Sequence, residues 1–167
     1  ILLGYSTTKR WTVGSHFFLG LALGVAPIGA WIGVSGRLDW LPILLGAAVM
    51  AWVAGFDIIY SCQDAAYDRR AGLFSLPSRL GKGRALAISA LCHAFCLILF
   101  AAVGHLGGLG VFYLIAVAIS ASLLVWEQLL ITPGDLSKVG VAFFTLNGWI
   151  SLLFFAGGLA DLLLAQR

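Results

Sequence analysis

The twenty residues from Leu41 to Tyr60, LPILLGAAVMAWVAGFDIIY, carry a single charged side chain, Asp57. A helix of that length crosses the ~30 Å hydrocarbon core of a bilayer and satisfies its backbone donors and acceptors within itself. Working outward, four more windows of the same kind run from Val13 to Val34, Ala85 to Gly104, Leu109 to Ile131 and Val141 to Leu164. None alternates apolar with polar residues, as the strands of a membrane barrel must. The expected class is therefore all-α, an integral membrane helical bundle with five transmembrane helices.

Composition agrees. Of the 167 residues, 61% are hydrophobic and 10% charged, and the mean hydropathy is +1.02. Soluble domains carry about 25% charge, so a soluble monomer and a disordered chain are both excluded. The net charge of +3 would suggest nucleic acid in a soluble protein. Here the cations sit in the loops, so no nucleic-acid partner is expected. Lys9, Arg10, Arg69, Arg70, Arg79, Lys82, Arg84 and Lys138 fall on one side of the five spans, and only Arg37 and Arg167 on the other. Positive residues stay in the cytoplasm, which puts the N-terminal end and the loop between spans two and three inside a bacterial inner membrane and the C-terminus outside. Trp11, Trp40, Trp126 and Trp149 lie near span ends, whereas Trp31 and Trp52 lie deeper. The chain opens at Ile1 within an apolar stretch, with no initiator Met and no cleavable leader pattern, and so reads as a piece of a longer one.

One polar region of size remains, Ser61 to Gly83, and a connection that long usually carries function. Asp57, Asp64 and Asp68 stand at its mouth. On a continuing helix, offsets of 7 and 11 residues return to within about 20° of one face, so the three carboxylates would line one wall. Like charges at a membrane boundary repel and resist desolvation, so a cation should hold them ionised. Mg²⁺, held by one or two carboxylates plus substrate phosphates, fits that need. Asp64 and Asp68 fit equally a solvated loop salted with Arg69 and Arg70; Asp57, inside an apolar run, favours the site. Tyr5, Lys9 and Arg10 precede the first span on the same side, and Lys and Arg grip phosphate. Positive residues also flank most cytoplasmic helix ends, so they fit topology alone as well.

The stretch from Asp57 to Gly72 follows the pattern D-x-x-Y-x-x-x-D-x-x-x-D-x-x-x-G through Asp57, Tyr60, Asp64, Asp68 and Gly72, and resembles the second aspartate-rich motif of the UbiA family of membrane prenyltransferases. Tyr5 to Arg10 resembles the family's Y-x-x-x-K-R element, and Ser75 to Gly81, Glu127 and Gln128 with Pro133, Asp135, Leu136 and Ser137, and Asn147-Gly148 resemble the 4-hydroxybenzoate polyprenyltransferase branch. The resemblance implies that residues 1–167 are the C-terminal part of one such domain, the last five helices of a nine-helix bundle. It implies transfer of a polyprenyl group from an isoprenyl diphosphate to an aromatic acceptor, foremost 4-hydroxybenzoate, in membrane quinone biosynthesis. A futalosine-route menaquinone precursor or another ring is the alternative acceptor. It also implies metal-diphosphate roles for Asp64 and Asp68 with Mg²⁺, diphosphate contacts for Lys9, Arg10 and Tyr5, and pocket-wall roles in substrate placement or cation stabilisation for Asp57 and Tyr60. The family's first motif, N-x-x-x-D-x-x-x-D, does not occur in these residues. Half of the metal site is therefore missing, and the fragment alone is expected to be inactive.

Other features read more plainly. Cys92, His93 and Cys96 lack a second ligand pair and read as helix packing. His16 and Asn147, polar within spans, fit a functional role and interhelical hydrogen bonding alike. Cys62 lies beside the motif as a reactive thiol outside the chemistry. Glu127 and Asp161 are expected within reach of water near helix ends. Gly24, Gly29, Gly33, Gly104, Gly107, Gly110, Gly157 and Gly158 are expected to let helices approach closely. Two other functions compete. A CDP-alcohol phosphatidyltransferase shares the D-x-x-x-D ending but needs glycine where Tyr60 stands. A transporter or other membrane binding protein should show broken helices or inverted repeats near the midplane instead of acid at one surface.

Overall fold

Five helices long and apolar enough to span a membrane form the body of the computed structural model: α1 (Ser15–Ser35), α2 (Trp40–Ser61), α5 (Lys82–Leu106), α6 (Val111–Leu130) and a last span, Val141–Leu164, ending in α7 (Asn147–Leu164). Residues 4–164 are described, without the side chains of Tyr5 and Ser6; the expectations for Tyr5 and for Arg167 therefore lie outside the described residues. Two short helices, α3 (Ala65–Arg70) and α4 (Leu76–Leu80), fill the connection between α2 and α5, and a 3-10 segment, Tyr5–Arg10, precedes α1. No strand occurs among the described residues.

Each boundary has a local cause. α1 ends where Gly36 turns left-handed, its N–H returning to the Ile32 carbonyl at 2.8 Å. Asp39 opens α2 by accepting from the Trp40 amide at 2.7 Å. The α3 helix stops in a Schellman arrangement, in which Leu73 N–H bonds the Asp68 carbonyl at 2.8 Å around Gly72 at φ 68°. Only glycine takes that conformation cheaply, so the glycine closing the aspartate motif is there to turn the chain. Ser75 and Ser78 then form a capping box that starts α4.

α1 packs against α2, α2 against α5, and α6 against both α5 and α7. Glycine sets the closest of these approaches. A Cβ on Gly24 would lie 2.5 Å from the Gly46 carbonyl oxygen, and one on Gly46 would lie 2.5 Å from that of Gly24. Gly20, facing the Met50 carbonyl, and Gly55, whose missing side chain leaves room for the His93 ring, do the same work without having been singled out from the sequence. Gly104, Gly107, Gly110 and Gly157 are close-approach positions as expected, but Gly29, Gly33 and Gly158 face open space because they lie on surfaces no described helix covers. Large apolar side chains such as Val34, Leu129 and Phe155 are exposed on the outside of the bundle, as a hydrocarbon solvent permits.

The expectation that Asp161 and Glu127 sit in reach of water is corrected. Both are buried. Asp161 reaches from α7 to the start of α6, accepting from the amides of Phe112 at 3.2 Å and Tyr113 at 2.8 Å. It thereby supplies acceptors and negative charge to a helix N-terminus, whose first amides have no partner within the helix. Asp161→Ala is expected to lower stability by about 1–2 kcal/mol, read as a lower unfolding midpoint in detergent; an unchanged midpoint would show that the cap is idle.

Candidate active site

The end of the bundle that gathers the 3-10 segment, α3 and α4 brings Lys9 and Asp68 together. Asp68 is buried in α3, with 3% of its side chain exposed, and its Oδ2 lies 3.5 Å from Lys9 Nζ. The Phe74 amide donates to the Lys9 carbonyl at 2.6 Å, fastening the N-terminal segment to the α3–α4 turn. Lys9 thus sets a positive charge against Asp68. Asp64, one helical turn before Asp68, is exposed at the N-cap of α3, and Arg10 and Arg70 are exposed nearby. Arg79 lies 4.0 Å over the Phe74 ring.

The single wall of three carboxylates does not form. Helix α2 stops at Ser61, and the amides of Cys62, Gln63 and Asp64 bond three residues back, to Ile59, Tyr60 and Ser61. These tight turns rotate α3 away from the register of α2. No three His, Cys, Asp or Glu side chains converge among the described residues. Asp57, left on α2, pairs instead with His16 of α1, whose Nδ1 lies 2.6 Å from its Oδ2. His16 is fully buried, and its Nε2 accepts the Leu76 amide at 3.3 Å. A carboxylate late in one span and a ring nitrogen in the first turn of its neighbour was the one signal available for this pair.

Aromatic rings continue inward from Tyr60. Its ring centroid lies 4.5 Å from that of Phe143, which meets Phe56 edge-on at 5.2 Å, and Phe56 meets Trp52 at 6.0 Å. Phe143 belongs to a π-helical stretch, Val141–Leu146. Asn147 holds that stretch: its amide nitrogen donates to the carbonyls of Ala142 at 3.1 Å and Phe143 at 3.2 Å, while its oxygen accepts from Trp52 Nε1 at 2.8 Å. Interhelical hydrogen bonding therefore accounts for Asn147, and which phenylalanines line the pocket is settled by packing. Trp52, Phe56, Asn147, Leu23 and Pro27 border a cavity of about 460 Å³ between α1, α2 and α7. It is apolar and aromatic, and Phe56, which borders it, is the residue before Asp57 on α2.

This arrangement has a match among known proteins. Residues 1–157 fit the model of the UbiA prenyltransferase family. The chain belongs to that family. The UbiA fold is matched in space as well, by a structure described as the apo structure of a UbiA homolog from Aeropyrum pernix K1, at a TM-score of 0.84 and 35% identity over 96% of this chain and 60% of that one. Among curated UbiA-type relatives, a 4-hydroxybenzoate octaprenyltransferase of Methylococcus capsulatus is 34% identical over 96% of this chain and 54% of its own length. One of Cronobacter sakazakii is 32% identical over 92% of this chain and 52% of its own. The chain spans about half the length of the curated relatives it matches. As a UbiA member with five apolar spans it is an integral membrane protein.

The remaining features of this UbiA chain are structural. Cys62 is buried, and burial pushes its thiol up to about 11, with the Lys82 charge only partly opposing. The expected reactive thiol is thus an inert one, since the thiolate is the reactive form. Cys92 and Cys96 are buried, and the Cys96 thiol donates to the His93 carbonyl at 3.1 Å. His93 Nδ1 accepts from Gln128 at 2.9 Å. Packing and hydrogen bonding account for the two cysteines, whereas His93 Nε2 is buried with no hydrogen-bond partner.

Proposed function

We propose that these residues form the back half of the site of an Mg²⁺-dependent aromatic prenyltransferase. It would move a polyprenyl group from its diphosphate to 4-hydroxybenzoate at the cytoplasmic face of a bacterial inner membrane. The observation that carries the reading is the buried Asp68 facing Lys9, in a bundle that also holds an aromatic, apolar cavity. An anion-binding lysine, a carboxylate pair and a dry pocket are what separation of diphosphate from an allylic group requires. The names of the relatives favour 4-hydroxybenzoate as acceptor.

Asp68 and the exposed Asp64, one turn apart, fit a hard divalent ion: Asp68 Oδ2 is buried, makes no hydrogen bond and faces only the Lys9 ammonium at 3.5 Å, and carboxylates with substrate phosphate complete such sites. The ion, when bound, supplies positive charge that stabilises the departing diphosphate oxygens. Lys9 and Arg10 clamp those oxygens as well, Arg10 bidentately and Lys9 as a point charge. Bond breaking leaves positive charge on the terminal allylic carbon. The faces of Tyr60, Phe143 and Phe56 stabilise that charge by about 0.5–2 kcal/mol per well-placed ring, and the apolar cavity keeps out water that would quench it. The electron-rich acceptor ring then attacks the cation and passes its ring proton to an oxygen of the released diphosphate, with Asp57 placing the substrate. The polyprenyl tail lies in the cavity and in the surrounding lipid, which is why the enzyme is in the membrane.

In membranes containing the full-length enzyme, labelled polyprenyl diphosphate and 4-hydroxybenzoate are expected to give a prenylated acid, to stop doing so in EDTA, and to resume with added Mg²⁺. Transfer that survives EDTA would refute the metal role. Orientation has its own check. The native cysteines are buried, so an engineered Ala71→Cys should react with a membrane-impermeant maleimide only from the cytoplasmic side, and Leu38→Cys only from the opposite side. The reverse pattern would invert the topology.

A further inference from the structure

His16 joins two parts of the site that lie far apart in sequence. Its side chain is fully buried at the start of α1. One ring nitrogen meets Asp57 of α2 at 2.6 Å, and the other meets the Leu76 amide, at the first position of α4, at 3.3 Å. These contacts define the ring. An amide can only donate, so Nε2 carries the lone pair, the ring proton sits on Nδ1, and Nδ1–H donates to the Asp57 carboxylate. Asp57 is thereby held in one rotamer by a charge-assisted hydrogen bond, with 20% of its side chain still exposed.

The same ring completes the start of α4. First-turn amides have no partner within a helix. Of those in α4, Leu76 N–H is taken by His16, Pro77 has none, and Ser78 N–H is taken by the Ser75 hydroxyl at 3.3 Å. Two further contacts, Phe74 N–H to the Lys9 carbonyl and Lys9 to Asp68, hold the same loop to the N-terminal segment. His16 is the one contact of the three that passes from this loop to the Asp57 carboxylate on α2.

We propose that His16 is a positioning residue that couples seating of the diphosphate-binding loop to the orientation of Asp57. It rests on the proposed function for its catalytic consequence and on geometry alone for its structural one. When Leu76 is docked, His16 must present Nδ1–H to Asp57. When the loop lifts, Nε2 loses its donor, the tautomer is no longer imposed, and Asp57 loses its fixed partner. The carboxylate on the wall is therefore set for the reaction only while the loop that binds diphosphate is closed.

The substitutions that separate this from simple packing are His16→Leu and His16→Gln in the full-length enzyme. Glutamine carries one donor and one acceptor, as the neutral imidazole does, and can bond Asp57 and Leu76 together, whereas leucine fills the space and does neither. Loss of a hydrogen-bonding partner behind a functional group typically costs about 10–100-fold in activity. His16→Leu is expected to lower kcat by that factor with little change in the KM for the aromatic acceptor, and His16→Gln to restore most of it. Adding His16→Leu to Asp57→Asn should cost little more than Asp57→Asn alone, because both remove the same arrangement. Tryptic cleavage after Arg70 and Arg79 reads loop seating without any turnover and should be about tenfold faster in His16→Leu than in the wild type or His16→Gln. Should His16→Leu not accumulate in membranes, His16→Asn, polar but too short to reach both partners, takes its place. Wild-type kcat in His16→Leu, no recovery in His16→Gln, fully multiplicative losses with Asp57→Asn, or equal cleavage rates would each overturn the coupling. If the wild type itself transfers no prenyl group, the proposed function fails, and the cleavage rates still decide whether His16 seats the loop.

Discussion

Asp64→Ala and Asp68→Ala are each expected to reduce prenyl transfer in the full-length enzyme by about three orders of magnitude or more. A bound divalent ion stabilises transition-state charge by several kcal/mol, and about 4 kcal/mol corresponds to a factor of roughly a thousand. The two variants should differ in their structural side effects. Asp64 is exposed and makes no side-chain cap to α3, so its removal should leave the fold untouched. Asp68 is buried against Lys9, but removing the buried partner leaves the other charge on Lys9, which is 31% exposed and free to turn to water. Both variants should therefore insert in the membrane at wild-type levels. The measurement is transfer from labelled polyprenyl diphosphate at saturating Mg²⁺, normalised to enzyme in the membrane; Asp64→Ala with near wild-type turnover would remove Asp64 from the metal site.

Gly24→Val is expected to have the largest effect on the folded bundle. Its Cβ would lie 2.5 Å from the Gly46 carbonyl oxygen, a main-chain atom that no side-chain rotation can move. Helices α1 and α2 must then separate, and the neighbouring Gly20–Met50 approach separates with them. Overpacking of a tight contact costs about 1–3 kcal/mol, and in lipid there is no hydrophobic term between helices to compensate, because packing itself holds them together. Gly29→Val and Gly33→Val, on the same helix with open space around them, should change stability by no more than about 0.5 kcal/mol. Thermal unfolding of the three variants in one detergent is the check. Equal midpoints would mean that the glycine contact between α1 and α2 contributes nothing.

The motif spacing carried part of the site and concealed part of it. Asp57, Asp64 and Asp68 could be picked out as carboxylates in and just beyond an apolar span, whereas Tyr60 and Gly72 stood out only through the resemblance to the family's motif. The role of Gly72 became clear only from its left-handed turn. His16 was visible as a polar residue in a span but not as a partner of Asp57, since the two are 41 residues apart and on different helices. Phe143 could not be told from the other phenylalanines, because its place against Tyr60 depends on a π-helical turn held by Asn147.

What the sequence determined by itself was the number of spans, their lengths and the side on which the charged loops gather. These follow from local composition, because a bilayer requires every segment within it to satisfy its own backbone, and each span is therefore legible one window at a time. What only the tertiary structure decided was which glycines touch, which acid meets which base, and that α2 and α3 are separate helices. Those outcomes depend on side-chain contacts between segments distant in the chain. In an apolar solvent, such contacts leave no amphipathic pattern for the sequence to display.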